Sequence, residues 1–477
     1  MNTIQTVAKN TGSLALMNIM SLGLGMVLSV FLARNFGDVA FGKYSFAIAL
    51  TSFLATFIDF GLNQLIIREV SREKILSEKY VNNAMFIKII LSVFSFALII
   101  LIINLSNYPD DTRMIIYILG IATIFTSFGQ LFRAIFHAFE KMEYNSIITI
   151  IERMVVTIIG LCLMILGYSL VQMVLAYVIG GILDVIISLI ITSKKFLKPH
   201  LEFDYTFCKR VMKSAIPFGI NSIFIVIFVR ISTIMLSSIA GDAAVGWYNA
   251  AVTLVLALSF IPSIILSAIF PLLSRSYITS AKSHNEIYIK IFRYLFIIAF
   301  PIGVGTTVLA DKLILQIYGM QFTSSIIALQ ILIWWHVIGS VNWLLGTVLQ
   351  SINKQKIFTI STALCAIINV ICNLIIIPKM GYVGACISTI ITEGILLILL
   401  MHFISEYLAK ISTTHIIKMP IFAGLIMALS IFFIKEYLNI MIVILIAGIV
   451  YFVSLLILGG ITREDKRLLR RIISGDA

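Results

Sequence analysis

The sequence predicts an all-α fold, a polytopic membrane protein with about fourteen transmembrane helices. Three features carry that prediction. Hydrophobic residues make up 60% of the 477 and charged residues only 12%, an apolar excess that a soluble domain of this length has too little interior to hide. Apolar runs of about 20 residues, the length that crosses hydrocarbon, recur from end to end. Examples are "GSLALMNIMSLGLGMVLSVFLA" from Gly12, "AMFIKIILSVFSFALIILII" from Ala84 and "IMIVILIAGIVYFVSLLIL" from Ile440. Finally, one outer-loop pattern occurs twice, at Gly37 and at Gly241.

In lipid a backbone must satisfy its own hydrogen bonds, so each run is a helix. The first pair of spans covers 12–33 and 44–66, joined by "NFGDVAFGK". The next, 84–105 and 114–137, turns through "SNYPDDTR", and 147–168 and 170–192 meet at Gly167 and Tyr168. Spans 214–239 and 247–272 turn at Gly241 and contain Pro217, Pro262 and Pro271. Span 289–310 contains Pro301, Gly303 and Gly305, and span 326–350 follows it. The last four are 357–377, 384–408, 418–436 and 438–460. The prolines and Gly219, Gly303 and Gly305 suit helices that bend or approach one another closely. The first span is long and lacks a small-residue cleavage pattern, so no cleavable signal peptide is expected.

The net charge of +13 is distributed by side of the membrane. With the N-terminus inside, cytoplasmic loops and ends collect most of the 35 Lys and Arg, for example Lys194, Lys195, Lys198, Lys209, Arg210 and Lys213. The opposite face holds Arg34, Lys43, Arg113, Lys312, Lys379 and Lys435. This is the positive-inside bias, and it predicts a multi-pass protein of the cytoplasmic membrane with both termini cytoplasmic. It also removes the reason to read the charge as a nucleic-acid footprint. The five cysteines show no C-x-x-C and no histidine at ligand spacing, so neither a disulfide framework nor a metal site is expected.

"GDVAFGKYSFA" and "GDAAVGWYNAA" both read G-D-x-A-x-G-x-Y-x-x-A. Six spans separate them, and an even number returns the chain to the same side, so the repeat is parallel. "LGYSLVQMVLAYVIGG" echoes "MGYVGACISTIITEG", and "FEKMEY" occupies the inner loop equivalent to that of "INKQKI". The expected organisation is an N-terminal lobe over 1–200, a C-terminal lobe over 201–409, two added spans within 410–461 and a basic cytoplasmic tail over 462–477. That tail either anchors topology or lies as an amphipathic helix on anionic lipid.

"LARNFGDVAFGKYSFAIALTSFLATFIDFGLNQLIIREVSRE" resembles the N-terminal signature of polysaccharide-biosynthesis membrane proteins, and "VRISTIMLSSIAGDAAVGWYNAA" resembles the start of their second lobe. These are the O-antigen-type repeat-unit flippases of the multidrug/oligosaccharidyl-lipid/polysaccharide (MATE-like) exporter superfamily. The resemblance covers essentially the whole chain. It implies translocation of polyprenyl-diphosphate-linked oligosaccharide repeat units across the cytoplasmic membrane by alternating access, with no cofactor. Family members often carry Arg-Ile-Asp where this chain reads Arg230-Ile231-Ser232, so an ion-coupling role does not carry over to that position. Proton or sodium coupling and a polysaccharide polymerase partner stay open.

Polar residues inside spans are costly and mark function. At about 100° per residue, Thr126, Gln130, Arg133 and His137 share one face of the fourth span, and Ser45, Ser52, Thr56, Asp59 and Asn63 share one face of the second. Arg153 lies in the fifth span and Arg230 in the seventh. Arginine forms bidentate bonds to phosphate oxygens and does not titrate away, so Arg133, Arg153 and Arg230 are the candidates to hold the diphosphate. Asp59 either pairs with one of these arginines, carries a proton or caps a packing contact. Glu152 is a candidate partner for Arg133 or Arg153. Asn63, Gln130 and His137 complete the first-lobe set, and Trp343, on a face with His336 and Ser340, is the candidate platform for a sugar ring. Arg34 and Arg68 read as gate or topology residues.

An enzyme is disfavoured because the outer loops are short and hold no D-x-D pair and no H-E-x-x-H. The alternatives are a drug or cation antiporter of the same superfamily, which would need an acid in the first span, and a flippase for a lipid-linked peptidoglycan precursor.

Overall fold

The computed structural model describes residues 3–106, 108–408 and 413–460. The helices run α1 Thr3–Asp59, α2 Leu62–Arg72, α3 Ser77–Leu105, α4 Asp110–Ala138, α5 Met142–Ile165, α6 Leu170–Met173, α7 Leu175–Lys195 and α8 Tyr205–Ala240. They continue as α9 Asp242–Leu258, α10 Phe260–Thr279, α11 Ala281–Ile317, α12 Ser325–Ser351, α13 Gln355–Tyr407, α14 Thr413–Ile434 and α15 Ile440–Ile457. No strand occurs among the described residues. The expected tail over 462–477 lies outside them.

Among the described residues, eleven helical segments are long and apolar enough to cross a membrane. Two of them are double: α1 is broken at Gly37 (φ 81, ψ −177) and α13 at Gly381 (φ 57, ψ −134). The expected span 247–272 is shared by α9 and α10, which break at Ser259. Counted this way, the eleven become the fourteen expected spans.

The second span differs from expectation. Its helix ends at Asp59, where Phe60 (φ 40) and Gly61 (φ 81) turn the chain. The residues after the turn, "LNQLIIREVSR", are amphipathic rather than uniformly apolar. They form a separate short helix, α2, that buries Leu62, Leu65, Ile66 and Val70 and leaves its charges outward.

The repeat is written in the backbone. Gly37 and Gly241 have almost the same conformation (φ 81 and 83). Gly167 and Gly381 pair likewise (φ 78 and 57), as do Glu140 and Asn353 (φ 57 and 59), the second residues of the two equivalent inner loops. Positive φ is rare away from glycine, so a matched Glu and Asn mark the same turn made twice.

The chain divides into two compact units, Met1–Thr253 with Thr362–Ser388, and Leu254–Ser361 with Thr389–Ala477. In the first, α4 packs on α7, and α1 on α4, α5 and α8. Ile66, Val70, Val81, Leu131 and Ile135 form one buried cluster, and Leu62, Leu65, Val211 and Ala215 anchor another. In the second unit α11 packs on α12, α14 and α15, around Ala423, Ile431, Val443 and Tyr451.

Within the first unit the two G-D-x-A-x-G loops clasp each other. A Cβ at Gly42 would lie 1.8 Å from the carbonyl oxygen of Asp242, and one at Gly246 would lie 2.1 Å from that of Asp38. The second glycine of each copy is the seat for the aspartate backbone of the other. Trp247 Nε1 donates to Asp38 Oδ2 at 2.8 Å and fixes the join. Gly42→Ala and Gly246→Ala are each expected to cost about 1–3 kcal/mol through overpacking, read as a lowered thermal midpoint of the purified protein. Unchanged midpoints would show that the loops can part without penalty.

Candidate functional site

The cations that the sequence places inside spans of the first unit sort into one in a closed ion pair, one in a closed network and an open pair. α7 lays Asp184 against Gly129 of α4, where a Cβ would sit 2.4 Å from Oδ2. One turn along α4, Arg133 Nη1 meets Asp184 Oδ1 at 3.0 Å and donates to Thr149 Oγ1 of α5 at 3.2 Å. Ser188 Oγ adds a bond to Asp184 Oδ1 at 3.2 Å. Arg133 is 7% exposed and Asp184 1%. The acid beside Arg133 is therefore Asp184. Glu152 forms no ion pair among the described residues and acts on Arg153 only through its field. The two are neighbours in sequence on one helix, about 100° apart around its axis.

Asp59 takes a lysine rather than an arginine. The fully buried Lys88 Nζ of α3 lies 3.1 Å from Asp59 Oδ1 and donates to Asn63 Oδ1 at 3.2 Å, Ser127 O at 2.9 Å and Ser127 Oγ at 3.2 Å. Asp59 Oδ1 also accepts from the Asn63 backbone N–H at 3.3 Å, across the turn at Phe60 and Gly61. A charge in this setting needs every donor met, and Lys88 has that. It ties α1, α2, α3 and α4 together.

The open cations are Arg153 of α5 and Arg230 of α8. Both are half-buried, and neither has an ion pair or hydrogen bond among the described residues. Both act electrostatically on one group, the buried Tyr44 phenol. Tyr44 shares a hydrogen bond with Tyr177 of α7, their rings 6.2 Å apart. Arg153 also acts on Tyr177, and Arg230 on Tyr248. Helices α1, α5 and α8 thus place two guanidinium groups, neither in an ion pair or hydrogen bond among the described residues, within electrostatic reach of the Tyr44 hydroxyl. Guanidinium groups so placed have donors to offer an anion.

The remaining candidates are scattered. Gln130 is exposed and His137 half-buried at the end of α4. Ser232, at the family's acidic position, is buried in a neutral network, 3.3 Å from Asn369 Oδ1 and 3.0 Å from Asn373 Nδ2. Trp343 belongs to the second unit and is 42% exposed, whereas His336 (4%) and Ser340 (2%), expected on its face, are buried. Among the described residues no three His, Cys, Asp or Glu gather to hold a metal.

Sequence reasoning missed Asp184, Lys88 and Tyr177. For Asp184 and Lys88 the available signal was an ionisable residue inside a span, which is rare enough to demand a partner. For Tyr177 there was none beyond proximity in space.

A model of the family described as "Polysaccharide biosynthesis protein" matches residues 7–277. The "Probable low-salt glycan biosynthesis flippase Agl15" of Haloferax volcanii is 24% identical over 84% of this chain and 84% of its own. The "Lipopolysaccharide biosynthesis protein WzxC" of Escherichia coli is 25% identical over 83% and 79%. The solved structure of "Lipid II flippase MurJ, inward closed conformation" superimposes with a TM-score of 0.79 at 18% identity, over 93% of this chain and 98% of that one.

Proposed function

The chain belongs to the polysaccharide biosynthesis protein family, and from that premise we propose that it is a flippase. It moves polyprenyl-diphosphate-linked oligosaccharide repeat units across the cytoplasmic membrane for surface polysaccharide synthesis, by alternating access of two lobes, with both termini cytoplasmic. The observation that carries the reading is the open pair Arg153 and Arg230 beside Tyr44. A diphosphate taken from water into a membrane protein needs its hydration replaced by fixed donors and positive charge. Among the described residues, Lys88 and Arg133 are held in ion pairs, whereas these two guanidinium groups form neither an ion pair nor a hydrogen bond.

Arg153 and Arg230 bind the two phosphates, with Tyr44 and Tyr177 as further donors. Arg133 and Asp59 position the helices that present them, each through a closed pair of opposite charge. Asn63, Gln130 and His137 line the path of the head group. Trp343 offers its exposed face to a sugar ring in the second unit, and the prenyl tail stays in lipid. A polysaccharide polymerase is the machinery that would consume the flipped product.

The test is lipid extraction from a deletion strain. Complete repeat units should accumulate on the inner leaflet while surface polymer disappears, and their mass identifies the cargo. Normal glycan amount and sidedness, with altered drug sensitivity, would overturn the reading in favour of an antiporter.

A further inference from the structure

The second unit buries a carboxyl group that has no part in holding the diphosphate. Glu393, in the later half of α13, is 3% exposed. Its Oε1 accepts from Asn342 Nδ2 of α12 at 3.0 Å, and the same amide reaches the Glu393 backbone carbonyl at 3.0 Å. Trp335 supplies a second side-chain hydrogen bond. Between these two residues Gly339 opens the face of α12, where a Cβ would lie 3.3 Å from Oε1. Trp335, Gly339 and Asn342 fall three and four residues apart, so one stripe of α12 forms the cage.

No charged group among the described residues acts on Glu393. His336 is the titratable side chain of α12, and its Nδ1 is engaged by Ser259 Oγ at 3.2 Å. Along α13 the following ionisable residues, His402 and Glu406, pair with each other at 3.5 Å. Of the elements packed with α12 in this unit, α11 carries Lys282, His284, Glu286, Lys290, Arg293, Asp311 and Lys312, of which Asp311 pairs with Lys435 at 2.9 Å, and α10 carries Arg275; none of them acts on Glu393. Glu393 Oε2, Asn342 Oδ1 and His336 Nε2 are left without hydrogen-bond partners. The first unit meets a similar burial, Asp184 seated on Gly129, with an arginine. The second unit has no such counter-charge among the described residues.

A carboxylate ion enclosed without a counter-charge is far costlier than the neutral acid. Asn342 donates to Oε1, which suits the carbonyl oxygen of a neutral acid, and Oε2, which has no hydrogen-bond partner, is left for the O–H. A metal ion would require acceptors where Asn342 and Trp335 present hydrogens. We propose that Glu393 is a proton-binding site. It carries H+ on Oε2 while the Asn342–Trp335 cage is closed. When the cage opens to water, the O–H bond breaks, the proton passes to water, and the carboxylate is left hydrated. The second unit thereby holds a site through which a proton gradient can act on translocation.

Infrared spectra of the full-length protein in liposomes test this without any glycan, so the outcome is independent of the cargo. At neutral pH the wild type should show a protonated-carboxyl C=O band that shifts in D2O. Glu393→Gln, isosteric with the neutral acid, should remove it. Asn342→Ala should shift it without removing it, and raising the pH should bleach it in the wild type. No band in the wild type, the same band in Glu393→Gln, an unmoved band in Asn342→Ala, or a band undiminished in alkali would each overturn the proposal.

Discussion

Arg153→Ala and Arg230→Ala are each expected to cut translocation about 10- to 100-fold, because a hydrogen bond to a charged group contributes about 1.5–3 kcal/mol and each 1.4 kcal/mol is tenfold. Neither arginine forms an ion pair or hydrogen bond among the described residues, so neither removal breaks a direct contact. Arg153→Ala does take a nearby charge from the buried Glu152, so its transport is compared at matched protein level. Arg153→Lys and Arg230→Lys should recover only part of the loss, since an ammonium restores charge but not the planar fork that grips two phosphate oxygens. The measurement is surface polymer and inner-leaflet repeat units in a deletion strain complemented with each variant at matched protein level. Full complementation by both alanine variants would remove the open pair from the mechanism.

Asp184→Ala is the other large effect, and it should appear in stability. It leaves the Arg133 guanidinium, 9% exposed at its side chain, without its anion. Breaking a buried pair from one side costs about 3–5 kcal/mol. Arg133→Ala strands the buried Asp184 in the same way. The double variant removes both charges, so it should lose clearly less than the sum of the single variants. Thermal midpoints of the four purified proteins close this cycle, and strictly additive losses would mean the two groups do not depend on each other.

Both cases separate what the sequence makes legible from what it hides. The spans are legible because about 20 apolar residues in a row suit little besides a helix that crosses hydrocarbon. The repeat is legible because Gly37 and Gly241 head the same pattern of glycines, aspartate and tyrosine. The arginines stand out as costly residues in hydrocarbon. Which of them remains open does not, because pairing runs between helices distant in sequence. Arg133 and Asp184 meet across α4 and α7, and Asp59 finds Lys88 on α3. Helical periodicity gives the face a residue occupies but not what stands opposite, so it favours Glu152, close in sequence, over Asp184. The break after Asp59 escapes for a related reason. The apolar residues of α2 continue the hydropathy of the span, and only their spacing marks a helix with one wet side.

The clasp between the two G-D-x-A-x-G loops reaches beyond folding to descent. In a duplicated gene the copies are ordinarily free to diverge. Here each glycine is the docking surface for the other copy's aspartate, so neither can change size alone. The two copies are thus each the template to which the other must be cut. A chimera that exchanged only one of the two loops with a distant relative would inherit a lock without its key.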